Sequence, residues 1–407
     1  MKRWLSLLFF LAVTALAAAA QTDTIRLGYS VHGRVVDAKS GKALEAVHVS
    51  VPGRNHATVT NEDGDFILRS DRPINRIECS CIGYQILRQN AGDAFLNVRL
   101  LRENTLLEEA AIIYGDPRSI VASALIEIQN TYCTEPELLE CFYRETLRKG
   151  SRYTYVAEAV ARLYKDRYNK TVYRDAAALE KSRTLISQRR RDTLSVKTQG
   201  GPALAINMDA VKNGDILLNW EDLNLYRFEL DRTTFIDDRP QFVIRISPMD
   251  EADYPLFFGT LYIDRELLTF TRIELSMDMS NQEKVIKQLL VSKPARLRFF
   301  PEEASYVMNY SLRDGHTTLS YFRATMRFSC NWRRSLSRTR YTAVNELVVT
   351  DILEPAEPIA RKDRFSFKDI LCDTAPAFYD DDFWSDYNII APSETLEHAV
   401  TKLKKRR

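Results

Sequence analysis

The sequence predicts a mainly β protein in two unequal parts, a small β-sandwich followed by a larger α+β region. Three observations carry this. Short alternating segments with tight turns fill residues 29–102. Longer evenly spaced apolar segments resume after residue 140. Helix-start signals occur only at the edges of that second part. The chain has 407 residues with 57 Lys and Arg against 55 Asp and Glu. The excess cations, Lys2 and Arg3, lie at the extreme N-terminus, so the rest is neutral. Neutral bulk charge excludes a nucleic-acid binder that works by electrostatic attraction.

Residues 1–20 read as a secretory signal peptide. Lys2 and Arg3 precede the apolar run Trp4–Val13, and Ala15–Ala20 offers small-residue cleavage sites. This predicts export to the periplasm or the outer membrane. No Cys follows the cleavage point to carry a lipid, and no later stretch is apolar enough to form a transmembrane span. The basic tail, Lys402 to Arg407, leaves peripheral contact with anionic headgroups as an option beside a frayed terminus.

In the sandwich, Ser30–Asp37 and Leu44–Val51 alternate apolar and polar residues. Asn61-Glu62-Asp63-Gly64-Asp65 is a hairpin turn, with Gly64 free to take positive φ. A calcium loop in that register would need acids where Val59 and Ser70 stand. Gly33-x-Val35-x-Asp37, Ser40-Gly41, Leu44-x-Ala46-Val47, Thr60-Asn61-x-Asp63-Gly64-x-Phe66 and Ile82-Gly83-Tyr84 resemble the carboxypeptidase-regulatory-like domain. That resemblance implies a seven-stranded, prealbumin-like sandwich. It is similar to the N-terminal extension of TonB-dependent receptors in Bacteroidetes, whose barrel would need more chain than this. It implies no peptidase activity. None of His32, His48, His56, His316 and His398 is followed by Glu at the third position, as a zinc H-x-x-E pair requires.

Residues 103–116 read as a linker with a coupling strand, Leu106–Ile113, and 117–407 as the α+β domain. Asp116 and Pro117 suit the N-cap and first position of a helix reaching Asn130. Phe142–Leu147 and Tyr153–Ala159 flank Lys149-Gly150-Ser151 as a long hairpin. Arg189–Arg191 fits a solvated loop, and residues 170–225 give no topology. Strands follow at Tyr226, Gln241, Phe258, Phe270, Tyr306, Thr317 and Ala343, and Ser393 caps a C-terminal helix. Gly259–Asp264 followed by Phe270-x-Arg272-Ile273-Glu274 is similar to a hairpin of lipoprotein-carrier-like periplasmic proteins. That implies a curved antiparallel sheet whose concave face takes an acyl chain.

No catalytic, metal or cofactor motif occurs: there is no G-x-S-x-G, P-loop, H-E-x-x-H or C-x-x-C. Asp380–Asp382 reads as a solvated loop. The six cysteines are too sparse for a disulfide framework, and a Cys133–Cys141 bridge stays open. If the sheet curls, Tyr153, Tyr155, Tyr164 and Phe270 are candidates to line a ligand groove; core packing is the alternative. Thr24, Thr193 and Thr374 sit in D-T-apolar triplets that resemble Bacteroidetes O-glycan acceptors. These observations point to an exported, non-enzymatic envelope protein that binds or scaffolds an envelope partner. The alternatives are a carrier or sensor of a hydrophobic ligand, and a hydrolase with dispersed acids.

Overall fold

The computed structural model describes residues 27–92, 95–103, 115–168, 174–187, 196–214, 221–249, 252–332, 337–377 and 381–404. The proposed leader, the coupling strand, Thr24, Thr193, Arg189–Arg191, Asp380 and the last three tail residues lie outside them.

Seven strands form the sandwich. One sheet has the order β4 (Asp65–Ser70), β1 (Tyr29–Asp37), β7 (Leu96–Leu100); the other β3 (Ala57–Val59), β2 (His48–Ser50), β5 (Arg76–Ser80), β6 (Leu87–Asn90). Alternation in β1 and β4 turns Val31, Val35, Phe66 and Leu68 inward. The Asn61 side chain accepts from the backbone N–H of Asp63 and Asp65, both at 2.9 Å, and Gly64 has φ 79°. A Cβ on Gly64 would lie 2.5 Å from the Val35 carbonyl oxygen, so only glycine closes this turn. The turn carries the chain from β3 in one sheet to β4 in the other, and these two strands do not pair, so the hairpin expected from the sequence is a sheet-to-sheet crossing.

The larger part is one curved antiparallel sheet of eleven strands. Its spatial order is β10 (Ala176–Ile186), β9 (Arg152–Lys165), β8 (Glu137–Lys149), β18 (Thr339–Leu353), β17 (His316–Trp332), β16 (Leu297–Arg313), β15 (Phe270–Met277), β14 (Phe257–Asp264), β13 (Arg239–Pro248) and β11 (Tyr226–Leu230), with β12 (Thr234–Ile236) also on β13. The predicted strands at Tyr306, Thr317 and Ala343 run on to 15–17 residues in β16, β17 and β18. Residues 176–186, unassigned from sequence, form the strand at one edge.

Both faces of this sheet are covered. The concave face receives helix α1 (Pro117–Thr131), capped by Asp116, whose side chain accepts from Arg118 N–H. Short helix α2 (Ala203–Asn207) and helix α3 (Gln282–Leu289) join it, with Phe365 and Leu371 of a strap that follows β18 (354–377 and 381–393). The strap carries helix α4 (Leu371–Thr374), then passes to the convex face. There Trp384, Tyr387, Ile389 and Ile390 pack on Phe142, Val160, Tyr321 and Val348 of the sheet and on Val59 of the sandwich. The strap also stitches the sandwich down: Thr58 Oγ1 donates to Ile389 O at 2.8 Å, Asn61 Nδ2 to Pro392 O at 3.1 Å, and Asn388 exchanges two bonds with the Arg69 backbone. Helix α5 (Glu394–Lys404) follows, with Ser393 Oγ accepting from Leu396 N–H. Cys133 and Cys141 are both free, which corrects the bridge left open above: Cys141 is a fully buried residue of β8 in the main core. No helix among the described residues is long and apolar enough to cross a membrane.

Candidate functional site

The concave face is only partly filled. Over part of it α1 supplies Ile120, Val121 and Ala124 to the core. Elsewhere the sheet encloses a cavity of about 750 Å³. Its floor comes from period-two residues of two strands, Ala324, Met326, Phe328 and Cys330 of β17 and Ala343 and Asn345 of β18. The register sets Ala324 opposite Asn345 and Met326 opposite Ala343. Two alanines therefore stand where larger side chains would meet the covering elements, and that leaves the volume. Phe257, Met277, Leu297, Phe299 and Tyr306 continue the wall across β14, β15 and β16. Leu204, Leu289, Leu290, Phe367 and Ile370 roof it from α2, α3 and the strap. Gly201 (φ 42°) lets the strap approach: a Cβ there would lie 2.8 Å from the Phe365 ring. The mouth shows apolar surface to water, with Val291 75%, Tyr254 43% and Phe367 42% exposed.

The four tyrosine and phenylalanine candidates do not line this cavity or any common groove. Tyr153 borders a separate cleft of about 720 Å³ between the β8–β9 hairpin and α5. Tyr155 is buried on the concave side. Tyr164 is buried on the convex side with Leu138, Ala176 and Ile359. Tyr155 and Tyr164 lie an odd number of residues apart on one strand, so they must face opposite ways. Phe270 is fully buried in the main core, and its carbonyl accepts the Tyr132 hydroxyl at 2.6 Å. The aromatic clustering marked core positions. Of the threonines, Thr374 is exposed at the end of α4, and its hydroxyl donates to Leu371 O.

Sequence reasoning missed a buried acid beside the cavity. Glu145 is fully buried, and its partners are hydroxyls: Tyr143 at 2.8 Å, Thr198 at 3.1 Å, and Tyr155. Tyr143 also reaches Asn345 Oδ1 at 3.1 Å, and Thr198 and Asn345 both line the cavity. Burial pushes the Glu145 carboxyl up, and the hydroxyl donors only partly offset it.

Two further charge networks are fully compensated. Burial pushes Asp209 up, but Lys165, with the Tyr310 hydroxyl at 2.8 Å, more than offsets this and holds it ionised. Glu158 is likewise held down against burial by Arg144 and Arg183, at 2.8 and 2.7 Å, with Trp384 Nε1 donating at 2.9 Å. Arg144 also donates to Ile390 O at 2.7 Å, tying the network to the strap. Among the described residues no group of three or more His, Cys, Asp or Glu is placed to hold a metal ion.

A search of curated proteins returned no match. Solved structures with some similarity include a DUF1329 family protein from Desulfovibrio piger (11% identity, 57% of this chain and 93% of that one, TM-score 0.25). A putative outer membrane lipoprotein-sorting protein domain from Vibrio parahaemolyticus is another (10%, 61% and 95%, TM-score 0.25). A LolA superfamily protein from Nitrosomonas europaea is a third (12%, 57% and 95%, TM-score 0.19). TM-scores this low transfer neither fold nor ligand. The N-terminal part is clear: residues 31–112 match the model of the CarboxypepD_reg-like domain.

Proposed function

We propose that the chain is an exported, non-enzymatic envelope protein whose curved sheet holds a hydrophobic ligand, with the sandwich fixed on its back. The observation that carries this is the cavity of about 750 Å³, apolar in floor and roof apart from Thr325 and Asn345, and open at a mouth where Val291 and Phe367 are exposed. Its volume lies in the range of ligand pockets, and a void this large in a close-packed interior is costly unless something occupies it. The buried charges compensate one another on the convex side and near α1, as structural networks do. The strand and turn that hold the sandwich down engage this same chain, which favours the cavity over the sandwich as the working surface.

Native mass spectrometry of the purified chain, with organic extraction, tests this. A co-purified apolar molecule is expected, and Ala324→Trp with Ala343→Trp should abolish its retention while the fold persists. A chain that carries nothing and fails to bind a naphthylamine fluorophore would sink the reading.

A further inference from the structure

We infer that the ligand is an anionic amphiphile, with its chain in the cavity and a carboxylate or phosphate head at the mouth; this rests on the cavity being a ligand site. Charge complementarity carries it. Among the described residues that line the cavity there is no Asp or Glu, yet there are two lysines, Lys197 and Lys293. Both are exposed, and they stand at the rim with Val291 and Phe367 rather than at the floor. Lys197 is paired with Asp373 at 2.7 and 2.8 Å, so much of its charge is already answered. Lys293 gives one hydrogen bond, to the Leu297 carbonyl at 2.8 Å, and among the described residues it has no acidic partner. An ammonium has three donors. Lys293 can therefore meet a head at the rim without giving up an ion pair. Three acids stand one hydrogen bond behind the lining, Glu145 on Thr198, Asp373 on Lys197 and Asp222 on the Tyr254 hydroxyl; none lines the cavity, and none is paired with Lys293. A cationic head would meet only like charge on the lining. A neutral head would gain the chain's burial and nothing more.

The test is displacement of N-phenyl-1-naphthylamine from the full chain by four dodecyl compounds: dodecanoate, dodecyl phosphate, dodecanol and dodecylamine. Both anions are expected to compete about tenfold better than the alcohol, and the amine worst. The better of the two anions identifies the head. Lys293→Gln should remove most of that advantage and leave dodecanol unchanged. Lys197→Gln should remove less, because Asp373 already holds that ammonium. Equal competition by all heads, or a preference for the amine, would overturn the anionic assignment while dodecanol binding keeps the cavity reading. If neither fluorophore nor dodecanol binds, the cavity reading falls and this inference with it.

Discussion

The two faces of the large sheet are built from the same strands and end up with opposite characters. The convex face is tied down: the strap lies on it, the sandwich sits on the strap, and Glu158 is held between two arginines beside a smaller cavity of about 330 Å³. The concave face is closed under α1 and open beside it, where Ala324 and Ala343 leave a hole. Period-two alternation assigns neighbouring residues to these two environments. Arg144 and Glu145 show the result. Arg144 belongs to the paired convex network, and Glu145, one residue on, has only hydroxyl partners on the concave side. A structural face tolerates little change; a binding face tolerates change and loses its ligand.

The largest expected effect is therefore on the convex face. Glu158→Gln leaves Arg144 and Arg183 buried without a counter-charge, and breaking such a network costs about 3–5 kcal/mol. Urea denaturation should show that loss. A cost below about 1 kcal/mol would mean that the convex network is not the rigid side of the comparison.

Filling the cavity should behave in the opposite way. Ala343→Leu adds apolar volume where space exists, so stability should hold or rise by about 1 kcal/mol while fluorophore binding falls. The same enlargement in the closed sandwich core, Val35→Leu, should cost about 1–3 kcal/mol. Thermal melts of the two variants side by side compare an open core with a filled one. If both variants lose stability equally, the cavity is not spare space.

The sandwich was legible because each of its sheets buries one face and its turns carry residues with one conformational use, such as Asn61 and Gly64. The Asp116 cap and the 142–159 hairpin were legible for the same reason, since their signals are local. The site was not. A sheet covered on both sides loses its polar face, so Glu145 and Lys165 look like surface residues in a string and are buried in fact. The cavity is marked by alanines and by which strands lie adjacent, and neither leaves a pattern along the chain. Strand β10 hid because its Lys181 and Arg183 read as loop charge. They are in fact drawn onto the aromatic strap, Arg183 with its guanidinium 5.1 Å from the Trp384 ring.

Acidity offers a smaller test, at the seam between sandwich and sheet. Burial, then Glu180 and Asp351, pushes Glu140 up to about 7. Its folded value lies above its ordinary 4.5, so its contribution is full below that value and is lost as pH rises through about 7. His56 lies between Asp71 of the sandwich, at 3.1 Å, and Asp351 of β18, at 3.2 Å. The Asp351 carboxylate beside the ring, opposed by burial, raises its pKa, so its contribution is also present at low pH and lost as pH rises through the folded value. Both groups act with one sign, Glu140 between its ordinary 4.5 and about 7 and His56 from its ordinary 6.5 upward. Stability should fall across these ranges, and Glu140→Gln should flatten the fall by about 1–2 kcal/mol. An unchanged slope would place the pH sensitivity elsewhere than this seam.

The smallest effect separates the two halves of the concave face. Asp116 is exposed and accepts from Arg118 N–H at 3.2 Å, so Asp116→Ala should cost about 1 kcal/mol, the usual worth of a helix cap. The helix it starts buries Ile120, Val121 and Ala124 in the filled half, and none of these lines the cavity. Fluorophore affinity should therefore stay within about twofold of the parent. If the cap variant loses binding along with its kilocalorie, then α1 and the cavity respond together, and the concave face is one coupled surface rather than a packed half beside an open one.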